Sequence, residues 1–505
     1  MREYIITVED PKVWDEVWDT LTTDGLSDNY IPSRGVEVLN ERPFNDYSAH
    51  FNLTDEEADL IRQDSRFLAV ELQADLREGV GKGFQAFRSS YLYDKSNSTT
   101  AAMKNWGLWR CTNSTNPLSS STSTTGSLPY TLDGTGVDIV VIDTGIEADH
   151  PEFAVNADGT GGSRVVDFNW ASLGVTGTPT SAAIGGYLKD SDGHGSNCAS
   201  IAAGNTCGWA PGAAIYAIRI FSGYDTKTGA ALGAISSDLC YDLVRAFHLA
   251  KVAAGNKRPT ICTNSWGYYA NYIGVTTTYF RGTLYNGMSA SYGQFGSKHP
   301  YNTNMEYLNN SVNNAAAAGV IMVGAAGNFS HKIDVPGGID YNNYYMGTYG
   351  NYQYNRGQSP TAASSMISVG AVDNNTGSER KVYFSETGPR VDIYAPGVMI
   401  MGAYANKAYQ TYAVQDPRKA GSYLNKISGT SQATPQVTGL LATILQARPT
   451  MTTAEAKAFL TEYSIKNALS LTGVDAVSNT SSLQGGNNRI LRTPFTSPNR
   501  GGINS

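Results

Sequence analysis

The chain has 505 residues, of which 41% are hydrophobic and 16% are charged, and its formal net charge is −7 at pH 7. That length is enough for two or more domains built around a large core. The negative charge argues against a nucleic-acid partner. No stretch is long and apolar enough to span a bilayer. Neither a nucleic acid nor a membrane is therefore predicted as a partner.

Five cysteines occur, at positions 111, 198, 207, 240 and 262, and none belongs to a Cys-x-x-Cys pair. An odd number leaves at least one thiol unpaired. We expect them to be mainly buried small hydrophobic residues, with at most one or two disulfides.

The first 76 residues have the pattern of a small α+β domain. Strand-like stretches alternate with two helical stretches, the second of which opens with a capping box formed by Thr54 and Glu57. The N-terminus predicts a strand and not a signal peptide, because its apolar run is short and acidic residues follow at once. His50 is predicted to be structural.

Two stretches that follow lose this periodicity. Residues 77–104 gather Gly, Ser, Lys and Thr, and are predicted to be a linker open to proteolysis. Residues 111–135 are rich in Ser, Thr and Gly and are predicted to form a surface loop.

From residue 137 onward, apolar strands alternate with helical patterns, which predicts an α/β fold with a parallel sheet and helices on both faces. Two insertions rich in Tyr, Asn and Gly, 268–305 and 331–359, interrupt this pattern. Sugar binding and packing as ordered loops are the alternatives for them, and we favour packing. Residues 479–505 are predicted to be a polar C-terminal tail.

Three polar residues beside glycines stand out in the larger unit. Asp143 directly follows the apolar run 137–142, at the end of a strand where parallel sheets place their sites; a helix cap is an equal alternative. His194 lies between two glycines before a helix of small residues, which favours function over packing. Ser431 precedes an apolar run at helical spacing, so an N-cap and a nucleophile are alternatives.

The order Asp143, His194, Ser431 is suited to nucleophilic catalysis. A serine hydroxyl is a weak nucleophile and needs a base to take its proton. The base needs an acid that holds its tautomer and stabilises the imidazolium. The order alone is weak evidence, because many chains of this length contain such a trio.

Longer motifs surround these residues. They are Asp143-Thr144-Gly145-Ile146 with His150-Pro151 beyond it, the run from His194 to Gly204, Ala325-Ala326-Gly327-Asn328, and Gly429-Thr430-Ser431-Gln432-Ala433-Thr434-Pro435. Asn105-Trp106-Gly107-Leu108 and Ala395-Pro396-Gly397 accompany them. Together they resemble the subtilisin-like serine proteases, peptidase family S8. Four independent motifs in one order would rarely arise by chance.

The resemblance implies a role for each residue of the trio. Ser431 attacks the substrate, His194 transfers the proton, and Asp143 orients His194. Asn328 is implied to donate its side-chain amide to the oxyanion, beside the backbone amide of Ser431.

The resemblance also implies that two segments line the substrate cleft and pair with substrate backbone, as strands do. These segments are Ser265-Trp266-Gly267 and Ala325-Ala326-Gly327. Trp266 is expected either to reshape a pocket there or to pack in the core.

By the same resemblance, residues 1–76 are an inhibitor-like propeptide. Such a domain assists folding, occupies the cleft with its C-terminal tail and is removed by self-cleavage. A cut is therefore expected between about residues 73 and 104. The subtilisin-like catalytic domain then spans 105–478, with the two insertions inside it.

The sequence departs from the family pattern at several positions. Gln432 and Gln436 replace residues that are commonly Met and His, and Asn197 and Cys198 replace His and Val. The long calcium loop after the histidine helix is missing, and Glu152 is the remaining candidate for a calcium ligand. No cofactor is expected to be required for the chemistry, and structural calcium stays open.

The predicted function is a serine-type endopeptidase that hydrolyses polypeptides and is made as a self-processing zymogen, with its own propeptide as intramolecular inhibitor. The alternative is a non-catalytic structural or binding protein, for example of a phage particle, that keeps the protease fold. With no signal peptide visible, an extracellular or a virion-associated location is expected, and the sequence does not decide between them.

Overall fold

The structure is a computed structural model. It describes residues 1–23, 34–42, 45, 47–77, 80–83, 105–116, 132–294, 301–348, 350–373, 378–404, 413–471 and 483–494. Most of the predicted linker and of the predicted loop 111–135 lies outside the described residues.

The N-terminal unit is a four-stranded antiparallel sheet with strand order β2-β3-β1-β4. Its elements are β1 Arg2–Val8, α1 Trp14–Thr22, β2 Glu37–Asn40, β3 Ser48–Leu53, α2 Asp55–Ile61 and β4 Phe67–Leu72. Alternate residues of β1 pack with both helices in one core, as a strand of period two requires. The predicted capping box of Thr54 and Glu57 opens α2. His50 lies buried in β3 beside Glu3, in keeping with its predicted structural role.

The rest of the chain forms a larger unit. Its strands are β5 Val80–Gly83, β6 Asp138–Asp143, β7 Ala214–Arg219, β8 Gly223–Tyr224, β9 Ala231–Leu232, β10 Thr260–Asn264, β11 Gly267–Ala270, β12 Thr277–Phe280, β13 Thr283–Asn286, β14 Tyr301–Asn302, β15 Ile321–Ala325, β16 Tyr344–Gly347, β17 Gly350–Gln353, β18 Ile367–Val372, β19 Ile393–Pro396, β20 Ile400–Tyr404, β21 Val414–Gln415, β22 Tyr423–Ile427, β23 Ile465–Lys466 and β24 Arg489–Ile490. Its helices are α3 Trp106–Arg110, α4 His194–Ala203, α5 Cys240–Ala253, α6 Glu306–Ala317, α7 Thr430–Ala447 and α8 Thr453–Tyr463.

The centre of the larger unit is an eight-stranded sheet with strand order β23-β24-β19-β18-β15-β10-β6-β7. All neighbouring strands in it run parallel except the edge pair β23 and β24. Ile139 and Val141 of β6 face one core, whereas Val140 and Ile142 face a second. The first core also contains residues of α4, α7 and α8, and the second contains residues of α5 and α6. The predicted parallel α/β sheet with helices on both faces is confirmed.

The two aromatic insertions pack against each other. Strands β12 and β13 from the first insertion and β16 and β17 from the second form one antiparallel sheet. Beside it, the buried rings of Tyr272, Tyr301, Tyr345 and Tyr354 form a common cluster. This arrangement agrees with the expectation that the two insertions pack as ordered structure.

The predicted polar tail is wrong over residues 483–494. Strand β24 joins the central sheet, where Ile490 is paired with Tyr394 of β19. Leu483, Ile490 and Leu491 are buried. A two-residue strand is too short to show periodicity, and the residues around it are mostly polar. The sequence pattern therefore did not predict a buried strand here.

All five cysteines lie in the described residues, where they are buried and form no disulfide. The expected burial is therefore confirmed, and none of the disulfides that the odd count allowed is formed. Among the described residues, no helix has both the length and the apolar character needed to cross a membrane.

The N-terminal unit docks on α5 and α6 through a buried polar contact. Arg42 has no exposed side-chain surface, and its Nε donates to Oδ2 of Asp242 at 3.0 Å. Its Nη2 donates to the Asp238 carbonyl oxygen at 2.9 Å and to the Ser311 hydroxyl at 2.8 Å. Glu71 accepts a hydrogen bond from the Tyr307 amide in the first turn of α6, where a carboxylate is favourable.

In a Ser431→Ala background, which excludes the expected self-cleavage, we predict that Arg42→Ala destabilises the intact chain by about 3–5 kcal/mol, because it leaves the Asp242 carboxylate buried without its counter-charge. Denaturant unfolding monitored by tryptophan fluorescence measures the change. Arg2→Ala is the matched control: its pair with Asp55 is more than half exposed on both sides, and its loss should change stability by less than about 1 kcal/mol. Equal effects of the two substitutions would contradict the assignment.

Candidate active site

The fold brings the predicted trio to one edge of the central sheet. Asp143 is the last residue of β6, His194 is the first residue of α4, and Ser431 is the second residue of α7. Contacts around the sulfur of Cys198 link the two helices: Sγ lies 4.0 Å from His194 Nε2 and 3.4 Å from the Ser431 carbonyl oxygen. All four residues are buried.

Asp143 and His194 form a direct ion pair. His194 Nδ1 lies 2.8 Å from Asp143 Oδ1, and the same oxygen accepts a hydrogen bond from the Thr144 amide at 2.8 Å. Asp143 Oδ2 is buried and accepts no hydrogen bond from the described residues. The imidazole is therefore the main group that compensates the buried carboxylate. With Nδ1 held in this way, Nε2 is the ring nitrogen available to exchange a proton.

The environment of His194 favours its protonated form. Burial acts in the opposite direction, but the carboxylate of Asp143 and then Cys198 outweigh it, so the pKa of His194 lies well above its usual value. Such an imidazole is a stronger base than a free one. In its neutral form it can take a proton from a hydroxyl, and Asp143 then stabilises the resulting charge.

Two glycines allow this close approach. A side-chain Cβ at Gly195 would lie 2.1 Å from the carbonyl oxygen of Gly145, so the start of α4 packs on bare backbone. Gly145 has φ +106°, and a Cβ there would lie 1.8 Å from the Lys189 carbonyl oxygen. Any larger residue at either position would push His194 away from Asp143.

Sequence reasoning missed Asp190, which fixes the relative position of Asp143 and His194. Its buried carboxylate accepts hydrogen bonds from the Thr144 hydroxyl at 2.7 Å and the Gly193 amide at 2.8 Å. It also accepts from the amide and the hydroxyl of Ser196. Asp190 thus ties the end of β6 to the first turn of α4. An acidic residue four positions before the histidine was the only sequence signal.

The hydroxyl of Ser431 donates to the carbonyl oxygen of Ser265 at 3.0 Å, and the Ser265 hydroxyl donates back to the Ser431 carbonyl oxygen at 2.9 Å. Ser431 lies at the N-terminus of an 18-residue helix, where the backbone amides favour negative charge. The structure therefore joins Ser431 to a segment predicted to line the cleft.

Asn328 lies just beyond β15 and is oriented by Thr430. Its Oδ1 accepts hydrogen bonds at 2.9 Å from both the amide and the hydroxyl of Thr430. The amide nitrogen Nδ2, its donor end, is consequently turned away from Thr430. Asn328 and Ser431 line the same pocket.

The predicted substrate-binding residues form the walls of that pocket, with one exception. Ser265, Trp266 and Gly267 lie on one side, and Ala325 and Gly327 belong to the other segment. Ala326 does not line the pocket: its side chain packs in a separate core with Val372 and Val391, because neighbouring residues of an extended segment point to opposite faces.

Trp266 fulfils both of its expected roles. It lines the pocket, and it is also buried in the second core of the sheet. There the centroid of its ring lies 5.8 Å from that of Tyr268.

Gln358, which sequence reasoning also missed, lies across the pocket. Its Nε2 donates to the Ala325 carbonyl oxygen at 2.8 Å, and a Cβ at Gly267 would lie 2.3 Å from its Cδ. The remaining cavity volume is about 20 Å³, the room of roughly one water molecule. Gln358 therefore limits the size of a side chain that can enter.

A segment of the chain itself lies along this wall. Strand β5 pairs antiparallel with β11, and Gly83 lies opposite Gly267. The direction of β5 carries the chain from Ala270 toward Gly267, and so toward Ser265 and the hydroxyl of Ser431. Gly83 thus lies opposite Gly267, the last residue of one segment that is predicted to pair with substrate backbone.

Glu152, the candidate calcium ligand, is already fully engaged. It is buried, and its Oε1 accepts from Arg418 Nη2 at 2.5 Å and from the Thr206 hydroxyl. Its Oε2 accepts from the amides of Thr206 and Cys207, both at 3.0 Å. Calcium requires six to eight oxygen ligands. A carboxylate bound to a guanidinium and three other donors does not fit that requirement.

Comparison with known proteins places this site in a family. The model of the subtilase family, peptidase S8, matches residues 134–488. This is more than half of the chain, and the chain therefore belongs to the subtilase family. The resemblance noted from the motifs is confirmed.

Individual relatives are distant. The alkaline proteinase of Hapsidospora chrysogena is 28% identical over 72% of this chain and 64% of its own length. The subtilisin-like serine protease Cla h 9.0101 of Davidiella tassiana is 28% identical over 74% of this chain and 54% of its own length. The chain thus spans between about half and two thirds of these curated relatives.

Among solved structures, fervidolysin from Fervidobacterium pennivorans, a keratinolytic enzyme related to subtilisin, has a TM-score of 0.53 and 18% identity. The match covers 96% of this chain and 60% of that one. At this identity the likeness concerns the fold alone.

We predict that Asp143→Asn lowers the pKa of His194 from above to below its usual value, because burial then acts without the opposing carboxylate. NMR titration of the imidazole resonances measures the change. Asp149→Asn removes an exposed carboxylate that pairs with Lys227 and Lys419, and should leave the titration of His194 unaltered. A His194 pKa that stays raised in Asp143→Asn would show that another group holds the imidazolium.

Proposed function

We propose that the chain is a serine endopeptidase that hydrolyses polypeptides through an acyl-enzyme intermediate. The observation that carries the proposal is the buried Asp143–His194 pair beside Ser431, at the N-terminus of a long helix. Membership of the subtilase family supports it. The intact trio argues against the alternative, a non-catalytic binding protein.

In the proposed reaction, Ser431 Oγ leaves its hydrogen bond to Ser265 and attacks the scissile carbonyl carbon. His194 Nε2 takes the hydroxyl proton, and Asp143 stabilises the imidazolium through Nδ1. Asn328 Nδ2 and the Ser431 amide donate to the oxyanion of the tetrahedral intermediate.

When that intermediate collapses, the C–N bond breaks and the leaving amine takes the proton from Nε2 of His194. A water molecule then attacks the ester carbonyl of acylated Ser431, with His194 again acting as base. The free carboxylate product leaves, and the Ser431 hydroxyl is restored.

We further propose that the chain is a zymogen in which the N-terminal domain, residues 1–76, and the β5 segment that follows it form the inhibitory propeptide. Two observations support this: the pairing of β5 with β11 in the cleft, and the buried docking of Arg42 on Asp242 and Ser311. Because β5 runs toward Ser431, the self-processing cut lies beyond Gly83, within residues 84–104. The pairing of Gly83 with Gly267 keeps other polypeptides out of the cleft until the propeptide leaves.

The intact mass of the purified wild-type chain, measured beside that of Ser431→Ala, tests both proposals. We expect the wild type to shorten to a product that begins within or just after residues 84–104, and Ser431→Ala to stay full-length. The shortened wild type should then cleave an unfolded protein substrate, while the variant should not.

Other outcomes separate the alternatives. If both chains stay full-length and neither cleaves substrate after mild release of the N-terminal unit, the binding-protein alternative takes the lead. If both are cut alike, an outside protease matures the chain, and only the substrate assay then bears on Ser431.

The proposed chemistry uses no cofactor, and we propose that Arg418, not a calcium ion, neutralises Glu152. In a Ser431→Ala background, Arg418→Ala should lower the free energy of unfolding by about 3–5 kcal/mol, because it leaves a buried carboxylate unpaired. Calcium removal by a chelator should have a much smaller effect on the parent protein. Lys419→Ala, which breaks an exposed pair with Asp149, is the control and should cost less than about 1 kcal/mol. Chelation that destabilises the parent as much as Arg418→Ala does would contradict the proposal.

A further inference from the structure

A buried glutamate, Glu386, lies directly beneath the turn that carries Asn328. Its backbone N–H donates to the carbonyl oxygen of Gly327 at 3.0 Å, and its Oε1 accepts from the amide of Phe329 at 3.1 Å. Glu386 therefore holds both the residue before Asn328 and the residue after it. None of its surface is exposed.

The contact with Gly327 leaves no room for another side chain. Gly327 has φ +119°, and a Cβ there would lie 2.8 Å from Cγ of Glu386. The methylene group of the glutamate thus packs on the bare backbone of the turn. A displacement of this side chain would be transmitted to Asn328 through both neighbouring residues.

The carboxyl of Glu386 is paired on one side only. Its Oε1 also accepts from Asn302 Nδ2 at 2.9 Å. Glu386 Oε2 and Asn302 Oδ1 are both buried, and neither has a hydrogen-bond partner among the described residues. Two unmet buried acceptors are unfavourable. A proton on Oε2 makes that oxygen a donor, and the unpaired Oδ1 belongs to the same Asn302 amide that already binds Oε1, so it is the acceptor available to it.

The surroundings of the carboxyl also favour the neutral acid. Burial raises the pKa of Glu386 to about 8, against the opposing effects of Asn302, the Phe329 N–H, Lys381 and the His331 N–H. Lys381 gives only partial compensation, because its ammonium group donates to the carbonyl oxygens of Val382 and Ser385. Among the described residues, Tyr272 and Tyr394 also interact with the carboxyl, and their own pKa values are raised chiefly by burial. The buried imidazole of His331, a residue whose backbone N–H acts on the carboxyl, is a third titratable neighbour, and its ring centroid lies 6.3 Å from that of Tyr272.

We propose that Glu386 is a positioning residue for the oxyanion-donating amide of Asn328, and that its protonated form supports turnover. This rests on the proposed peptidase function and on the assigned role of Asn328. The side chain of the neutral acid holds the turn through its hydrogen bond with Phe329 and its packing on Gly327, without placing charge near the oxyanion. An ionised Glu386 would repel the negative charge that develops there, and this repulsion is strong in a buried site.

Two variants of the processed enzyme test the proposal, with kcat and KM measured on a chromogenic peptide from pH 5 to pH 10. Glu386→Gln keeps the shape and an oxygen that accepts from Phe329, but it cannot ionise. We expect its kcat to match that of the wild type below pH 7 and to exceed it about fivefold above pH 9, with the midpoint near pH 8. Both enzymes share the titration of His194, so its effect on kcat cancels in the ratio of the two kcat values.

Glu386→Ala removes the side-chain support of the turn, which consists of the hydrogen bond with Phe329 and the packing on Gly327. We expect its kcat to fall at least about tenfold at every pH, with KM within about twofold of the wild type, because an oxyanion contact is made only in the transition state. Asn328→Ala provides the reference for loss of the donor itself, on the order of 10² to 10³ in kcat, the size found in subtilisin.

A kcat ratio of Glu386→Gln to wild type that stays constant across this pH range would overturn the proposal, even if Glu386→Ala fails to fold. Wild-type kcat in a folded Glu386→Ala would overturn it equally. In both cases an active wild type and an inactive Ser431→Ala would leave the proposed function standing. A wild type without turnover would instead overturn the proposed function, and this inference with it.

Discussion

The hydrogen bond between His194 Nδ1 and Asp143 Oδ1, 2.8 Å long and fully buried, is the interaction on which the rest of the site depends. A buried carboxylate and imidazole are stable only when each compensates the other. The fold provides this by ending a buried parallel strand at Asp143 and starting a helix at His194 on bare glycine backbone. Asp190 then locks the two ends together. The serine at the start of α7 completes an arrangement in which each group is held by a different element, namely β6, α4 and α7.

Two kinds of contact hold the N-terminal part of the chain against the larger unit. Strand β5 pairs with β11 along one wall of the pocket. The buried Arg42 anchors the N-terminal sheet on helices α5 and α6. In the proposed zymogen, β5 takes the place of substrate backbone at Gly267. After the proposed cut the N-terminal part is held by non-covalent contacts, and the buried Arg42 contact then sets how long inhibition lasts. Gln358 further restricts the size of a side chain that can enter the pocket.

The sequence could predict those features whose contacts join residues close together along the chain. The trio and Asn328 lie in short motifs whose glycines are required by local backbone geometry, so each motif is complete within about ten residues. Glu386 and Gln358 act through contacts that join distant parts of the chain: Asn302 meets Glu386 across 84 positions, and Ala325 meets Gln358 across 33. No local pattern records such contacts. Strand β24 was missed for a related reason, since its burial comes from pairing with β19 and not from a periodic run of its own. The parallel sheet could be predicted because its strands are continuous apolar runs, buried on both faces.

The measurement that tests the central claim most directly is the reaction of the processed protein with a fluorophosphonate, followed by peptide mass spectrometry to locate the adduct. This reagent modifies only a serine whose hydroxyl is activated by a neighbouring base. The account predicts a single adduct on Ser431, formed rapidly in the wild type and slowed by about 10⁴ in Asp143→Asn, in which the imidazole loses its tautomer. Absence of an adduct on a folded protein, or an adduct on another residue, would contradict the assignment of Ser431 as a nucleophile activated by His194 and Asp143.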